Sequence, residues 1–272
     1  MAFSTEESSR HCPARTRGSF YSFIATLLLW SWFLGVGIFF VVFLYVPAFV
    51  IFADREQIFQ RLNARFFSSF LALVRWLFPM HEWFLDKQLA QIKGAVIVCN
   101  HRSYLDPLIL ISLFSRQKTI VKTRFFSFPV FGWLLRVSGY LPATSQGRFA
   151  KMMLARMETM ASFLQQGGIV FIFPEGTRAR DEHLVAFQPG AFKIARLCQA
   201  PVAVVKIENS DALFPPGRFL FSGSSREPIT LSLVGILKPD YCHDPPSASQ
   251  LKEQVCSLLS PEPVAATAKQ EG

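Results

Sequence analysis

Ala95-Val96-Ile97-Val98-Cys99-Asn100-His101-Arg102-Ser103-Tyr104-Leu105-Asp106-Pro107 decides how the chain is read. Five apolar residues, three of them β-branched, stop at a polar cluster and then at a proline. That is a buried strand running into a loop and a helix start. From residue 93 onward the same alternation recurs. Strands are expected over Ala95 to Cys99, Thr119 to Lys122, Ile169 to Phe173, Val202 to Ile207, Phe219 to Ser222 and Ile229 to Ile236. Helices are expected over Pro107 to Ser115, Arg148 to Gln166 and Ala191 to Gln199, with a weaker one around Leu251 to Leu259. The expected class is α/β, a mixed central sheet flanked by helices and preceded by an N-terminal membrane-embedded helical segment.

Working toward the N-terminus, residues 18–53 contain no charge and no histidine. As one helix this run measures roughly 54 Å, against a hydrocarbon core of roughly 30 Å. It is too long for a signal-peptide core and lacks the small-residue cleavage pattern, so it reads as retained. One arrangement is a single tilted helix ending near Pro47. The other is a hairpin broken at Gly35-Val36-Gly37. Arg10, Arg15 and Arg17 precede the run and Arg55, Arg61 and Arg65 follow it, a tie in flanking charge that tips the choice to the hairpin. Residues 54–86 then space Phe59, Leu62, Phe66, Phe70, Leu73 and Leu77 at steps of three and four. This amphipathic helix either lies at headgroup level or packs on the following domain. The division expected is a basic tail at 1–17, the membrane helix or hairpin at 18–53, the amphipathic segment at 54–92, the α/β domain at 93–240 and a C-terminal tail at 241–272.

Composition agrees with a chain that meets lipid. Of 272 residues, 51% are hydrophobic, 29 are Phe and only 17% are charged, which excludes a disordered chain and an ordinary soluble domain. Lys and Arg outnumber Asp and Glu by 28 to 19, a balance suited to anionic headgroups or phosphate-bearing ligands. The basic residues are dispersed and no nucleic-acid-binding motif accompanies them, so no nucleic-acid partner is expected. Five cysteines, an odd number without a CxxC pair, argue against a disulfide framework or a zinc site and for a reducing, cytosol-facing compartment.

Two constellations carry chemistry. On a regular helix, residues five apart point about 140° away from each other, so His101 and Asp106 meet only if His101 lies on the loop and Asp106 on the first helical turn. Pro107 supports that arrangement, since proline favours the first helical position. A carboxylate beside an imidazole holds its tautomer and stabilises the imidazolium formed on taking a proton, which makes a general base for a hydroxyl substrate. The plainer reading makes Asp106 a helix cap and His101 a turn residue. No Ser or Cys stands out as a paired nucleophile, which favours direct attack by an activated hydroxyl. The second constellation, Phe173-Pro174-Glu175-Gly176-Thr177-Arg178, also follows a buried strand. Its glycine allows close backbone approach and its Thr and Arg suit phosphate oxygens, although a Pro-Glu-Gly turn is also common by itself.

Taken together, Asn100-His101, Asp106 and Phe173 to Arg178, with Phe187-Gln188-Pro189-Gly190-Ala191-Phe192 behind them, resemble the glycerolipid acyltransferase family whose best-known members are 1-acyl-glycerol-3-phosphate acyltransferases. The resemblance runs from about Val96 to Val205. It implies that His101 is the general base, that Asp106 orients it, and that Glu175, Gly176, Thr177 and Arg178 bind the acceptor, with no metal or prosthetic group. The implied reaction moves a fatty acyl group from acyl-CoA or acyl-carrier protein to a lysophospholipid in a membrane, most simply 1-acyl-sn-glycerol 3-phosphate. The implied setting is a bacterial inner membrane or an endoplasmic reticulum, with the domain facing the cytosol. Where the family places an arginine that meets the acceptor phosphate, this chain has Ser145, with Arg148 or Lys151 as substitutes. Another lysolipid acceptor, or a non-catalytic lipid-binding protein, is the alternative. His11, His81, His183 and His243 match no metal-ligand spacing, and Lys193 and Arg196 read as an outer helix face.

Overall fold

The computed structural model describes residues 14–144, 146–176, 187–223 and 225–259. Helix α1 spans Ala14–Phe40, passes into a π-helical segment, Val41–Tyr45, and continues as α2, Val46–Ile51. Pro47 explains the irregular turn. It lacks the N–H that would close the ladder onto Phe43, and just before it the Val46 N–H reaches back five residues to the Val41 carbonyl.

The hairpin expected at Gly35-Val36-Gly37 does not form, because both glycines sit inside uninterrupted helix. A mid-helix glycine costs only about 1 kcal/mol, whereas a break there would leave backbone groups unpaired in apolar surroundings. The chain turns instead at 52–54. Asp54 caps α3, Arg55–Leu77, by accepting from the Gln57 N–H at 3.3 Å. Helix α3 runs back along α1, with Tyr45 meeting Phe59, Phe40 meeting Phe66 and Trp32 meeting Phe70. The amphipathic segment is thus the second arm of a helix pair, and its stripe of Phe59, Leu62, Phe66, Phe70, Val74 and Leu77 is buried. Among the described residues, Phe20–Ile51 is the one helix long and apolar enough to cross a membrane, and 11% of its apolar window is buried.

The sheet follows: β1 (Trp83–Leu85), β2 (Val96–Cys99), α4 (Leu105–Leu113), β3 (Gln117–Val121), α5 (Pro129–Val137), β4 (Leu141–Pro142), α6 (Ala150–Glu158), α7 (Met160–Gln165), β5 (Ile169–Ile172), α8 (Gly190–Leu197), β6 (Val202–Glu208), α9 (Ser210–Leu213), β7 (Ile229–Leu237) and α10 (Ala248–Leu259). Strand order is β1-β7-β6-β2-β5-β3-β4. Every pairing is parallel except β6 with β7. This is the expected mixed α/β sheet flanked by helices. Alternate strand residues divide the core. Ile97, Cys99, Phe171 and Val205 face α3 and α4, while Val96, Val98, Ile172 and Val204 face α7, α8 and α10.

Phe219 to Ser222 is not a strand. Phe221 stacks on Phe214 at 4.3 Å and its N–H donates to Thr26 Oγ1 at 3.0 Å, while Phe219 stacks on Trp30 at 5.2 Å. Helix α1 takes the place a neighbouring strand would have occupied. The single helix expected from Arg148 to Gln166 is split at Thr159. Helix α6 carries no buried residue, and the break lets Met160, Phe163 and Leu164 turn onto the sheet.

Candidate functional site

Because β2 and β5 are parallel neighbours with Val98 beside Ile172, the chain leaves the sheet at Asn100 and at Phe173 side by side. Ends of parallel strands are where such folds gather chemistry. Asn100 extends the ladder with its side chain, donating from Nδ2 to the Ile207 carbonyl and accepting at Oδ1 from the Ile207 N–H, both at 2.7 Å. The next residue is thereby fixed in direction.

His101 Nδ1 lies 2.9 Å from Asp106 Oδ2. Asp106 is fully buried in the first turn of α4, and the same oxygen accepts from the N–H groups of Arg102 and Ser103, each at 2.7 Å. One carboxylate therefore gathers the loop and the imidazole at the positive end of a helix. The helix starts at Leu105, two residues before Pro107, with Tyr104 as its cap residue. Asp106 serves the loop and the ring, and the capping role goes elsewhere: Ser103 Oγ accepts from the Leu105 N–H at 3.2 Å. With Nδ1 donating to the carboxylate, Nε2 is the ring atom left to accept a proton.

The second loop holds the first. The His101 ring stacks on Phe173 with centroids 4.3 Å apart, and Glu175 Oε1 accepts from the His101 backbone N–H at 3.3 Å. Glu175 is buried at 8% exposure, so its carboxylate is aimed at the loop that carries the histidine. Gly176 adopts φ +67°, where a side chain would be strained. The Gln188 N–H donates to the Pro174 carbonyl at 2.6 Å, which brings in the segment that ends in buried Phe187 and Phe192. Thr177 and Arg178 lie outside the described residues, as does Ser145.

These loops open on a cavity of about 500 Å³ lined by His101, Tyr104, Gly176 and Gln188 and, away from them, by Phe67, Ile111, Phe131 and Leu135. Lys122 and Arg124 line it as well. Sequence reasoning gave neither a role, nor Asn100. The available signal was position: Lys122 directly follows β3, which pairs with β5, so its strand end falls on the same edge as the two motifs. Lys193 and Arg196 are exposed on α8, as expected of an outer face. Cys99 is fully buried at the end of β2, and burial, followed by the Asp106 and Glu175 carboxylates, pushes its thiol well up. It stays protonated and is no thiolate nucleophile. His81 is buried with Nε2 3.2 Å from the Ser222 carbonyl, and His243 pairs with Asp240 on the surface. Among the described residues no group of three or more His, Cys, Asp or Glu is placed to hold a metal ion.

Comparison with known proteins points the same way. Residues 85–208 match the family model described as Acyltransferase. The chain is 34% identical over 122 residues to the chloroplastic 1-acyl-sn-glycerol-3-phosphate acyltransferase BAT2 of Brassica napus, covering 45% of this chain and 35% of that protein. It is 30% identical over 157 residues to the putative 1-acyl-sn-glycerol-3-phosphate acyltransferase acl-2 of Caenorhabditis elegans, covering 56% and 55%. The aligned part thus spans about a third to a half of these relatives' length. The crystal structure of the 1-acyl-sn-glycerophosphate acyltransferase PlsC from Thermotoga maritima shares the fold, with a TM-score of 0.64 over 90% of this chain and 94% of that one, at 18% identity. Over residues 85–208 this chain thus matches the acyltransferase family model, and it is similar there to 1-acyl-sn-glycerol-3-phosphate acyltransferases.

Proposed function

We propose that the protein is a membrane-bound O-acyltransferase that moves a fatty acyl group from a thioester, acyl-CoA or acyl-carrier protein, to the free hydroxyl of a lysophospholipid, 1-acyl-sn-glycerol 3-phosphate, giving phosphatidic acid. The observation that carries this reading is the His101–Asp106 contact of 2.9 Å at the wall of a largely apolar cavity that Lys122 and Arg124 also line.

In this reading His101 Nε2 takes the hydroxyl proton as the alcohol oxygen attacks the thioester carbonyl carbon. The tetrahedral adduct collapses, the C–S bond breaks, and the imidazolium returns the proton to the departing sulfur. Asp106 stabilises the imidazolium while it lasts. Glu175 and Gly176, with Thr177 and Arg178 beyond them, form the acceptor side, and Lys122 and Arg124 supply cationic charge for its phosphate. The thioester already carries a good leaving group, so positioning and deprotonating the alcohol are the main tasks, general-base help being worth about 10²- to 10⁴-fold.

The test is labelled acyl-CoA offered to the purified chain in lipid vesicles with a panel of lysolipids. Transfer to 1-acyl-glycerol 3-phosphate is expected, and His101→Ala is expected to remove it with the fold intact. Retention of most activity in that variant rejects the base. Arg178→Ala is expected to raise the acceptor KM and leave the donor KM, and an unchanged acceptor KM removes that guanidinium from the phosphate site.

A further inference from the structure

The loop that carries His101 is held from a second side, by the segment that follows β6. The Arg102 guanidinium meets Asp211 on α9 through two bonds, Nε to Oδ1 at 2.8 Å and Nη2 to Oδ2 at 3.3 Å. One residue further on, Ser103 is fully buried and its Oγ donates to the Phe214 carbonyl at 2.8 Å. Two consecutive residues of the loop are thus tied to α9 and to the residue that ends it. Both also give a backbone N–H to Asp106 Oδ2. What fixes them therefore fixes two of the three donors on the carboxylate that orients the imidazole.

Helix α9 is built as a post. Asn209 turns the chain out of β6 at φ +61°, and its Nδ2 donates to the Pro228 carbonyl at 2.9 Å. Leu213 and Phe214 are buried, Phe221 stacks on Phe214 with centroids 4.3 Å apart, and the Ser222 N–H donates to the Leu213 carbonyl at 2.7 Å. Glu208, the other carboxylate of this stretch, is engaged by Lys206 at 2.8 Å and by the Thr230 hydroxyl at 3.0 Å.

Stability does not account for the Arg102–Asp211 pair. The two side chains keep 38% and 34% of their surface exposed, and ion pairs with that much solvent around them contribute little to folding. Direction is what a two-point contact supplies. A planar fork seated on a carboxylate fixes the plane of the guanidinium, where a single bond would let it swing. Asp211 also lies beyond residues 85–208, the stretch that the family model matches, so it stands outside the motifs that carry the resemblance.

We propose that Asp211 is a positioning residue for acyl transfer. Through Arg102 it holds the backbone between residues 101 and 103, so that Asp106 keeps its donors and His101 Nε2 stays aimed at the acceptor hydroxyl. The proposal rests on the acyl-transfer reading above. An error of about 1 Å in such an aim costs up to about 100-fold in rate.

Asp211→Asn tests it, with the full chain in vesicles, acyl-CoA and 1-acyl-glycerol 3-phosphate. The kcat is expected to fall about 10- to 100-fold, while both KM values stay within about twofold and the thermal midpoint within a few degrees of the parent. Asp211→Glu keeps the carboxylate and is expected to restore most of the rate. Arg102→Lys keeps the charge, loses the fork and is expected to match the loss. In an Arg102→Met background, Asp211→Asn is expected to cost less than about twofold more, because the connection through the guanidinium is already cut. An unchanged kcat in Asp211→Asn, a loss carried by KM alone, or a full second loss in the Arg102→Met background overturns the proposal. If Asp211→Asn does not accumulate, the rate of Arg102→Lys decides on the same terms.

Hydrogen exchange provides a readout without turnover. The amides of Arg102 and Ser103 are expected to exchange faster in Asp211→Asn than in the parent, with those of β5 unchanged. Equal exchange at residues 102 and 103 overturns the proposal. Faster exchange there in a protein that transfers to no lysolipid would sink the enzymatic reading and leave the clamp standing.

Discussion

Asp106 Oδ2 receives three donors, the His101 ring and two backbone N–H groups, so it acts as orienter and loop anchor at once. Asp106→Asn keeps the shape, and its amide oxygen can stand where Oδ2 stands before all three donors, but it replaces an anion with a neutral amide. The imidazolium formed during transfer then loses its counter-charge. A fall in kcat of about 10²- to 10⁴-fold with acceptor KM little changed is expected from steady-state rates at saturating donor. An equal loss through KM alone would show that the carboxylate serves binding. The pairing itself was legible in the sequence, because Pro107 marks the helix start and so places Asp106 on the first turn beside the loop. The Asn100 contact with Ile207 was not. It depends on β6 lying next to β2, a neighbourhood created by strands more than a hundred residues apart. Nor did the turn Pro174-Glu175-Gly176 announce that its glutamate would hold the His101 backbone.

At the scale of elements, the apolar packing of α3 on the sheet is joined at the start of the helix by a cluster of charges that hydrophobic periodicity does not reveal. Glu56 Oε1 lies 2.7 Å from Lys118 Nζ, on β3 and 2% exposed, and Glu56 Oε2 lies 2.7 Å from the Arg156 guanidinium on α6. Gly139, at φ +77°, passes so close that a Cβ there would sit 2.4 Å from Glu56 Oε2. Glu56→Ala leaves two cations facing each other with their counter-ion gone. A loss of about 3–5 kcal/mol is expected, the range for breaking a buried pair from one side, read by denaturant unfolding in detergent. Burial, ahead of every other influence, lowers the Lys118 pKa from its ordinary 10.5, and removing Glu56 takes away the contact that opposes the drop. Between the native value and 10.5 the unfolded chain binds more protons than the native one, so stability rises with pH there. The deficit of Glu56→Ala against the parent should therefore narrow as pH is raised toward 10, and a constant gap would show that Lys118 is not the destabilised partner. Long apolar runs such as β2, β5 and β6 were readable because burial on both faces leaves an unbroken signature. Strands β1 and β4, of three and two residues, are too short to carry a period, and Phe219 to Ser222 imitates a strand while packing on a helix.

For the molecule as a whole, helix α1 has two jobs on two faces, and hydropathy alone does not separate them. Trp32 and Phe33 pack into Phe66 and Phe70 at 5.3–5.7 Å, and Tyr21 hydrogen-bonds the Leu77 carbonyl. Leu28 and Phe39, by contrast, are 52% and 51% exposed. If the outward face is the one that meets lipid, a charge there opposes insertion without touching the fold. Near the centre of a membrane helix, Lys costs about 2.5–3.5 kcal/mol. Leu28→Lys with Phe39→Lys is expected to leave the thermal midpoint in detergent within a few degrees of the parent and to move the protein out of the floating fraction in a vesicle flotation assay. Phe33→Lys is the contrasting case: it buries a charge between Phe66 and Phe70, so the midpoint falls first and any loss of flotation follows unfolding. Unaltered flotation of the Leu28, Phe39 double variant would mean that the exposed apolar face of α1 is not what holds this protein to lipid.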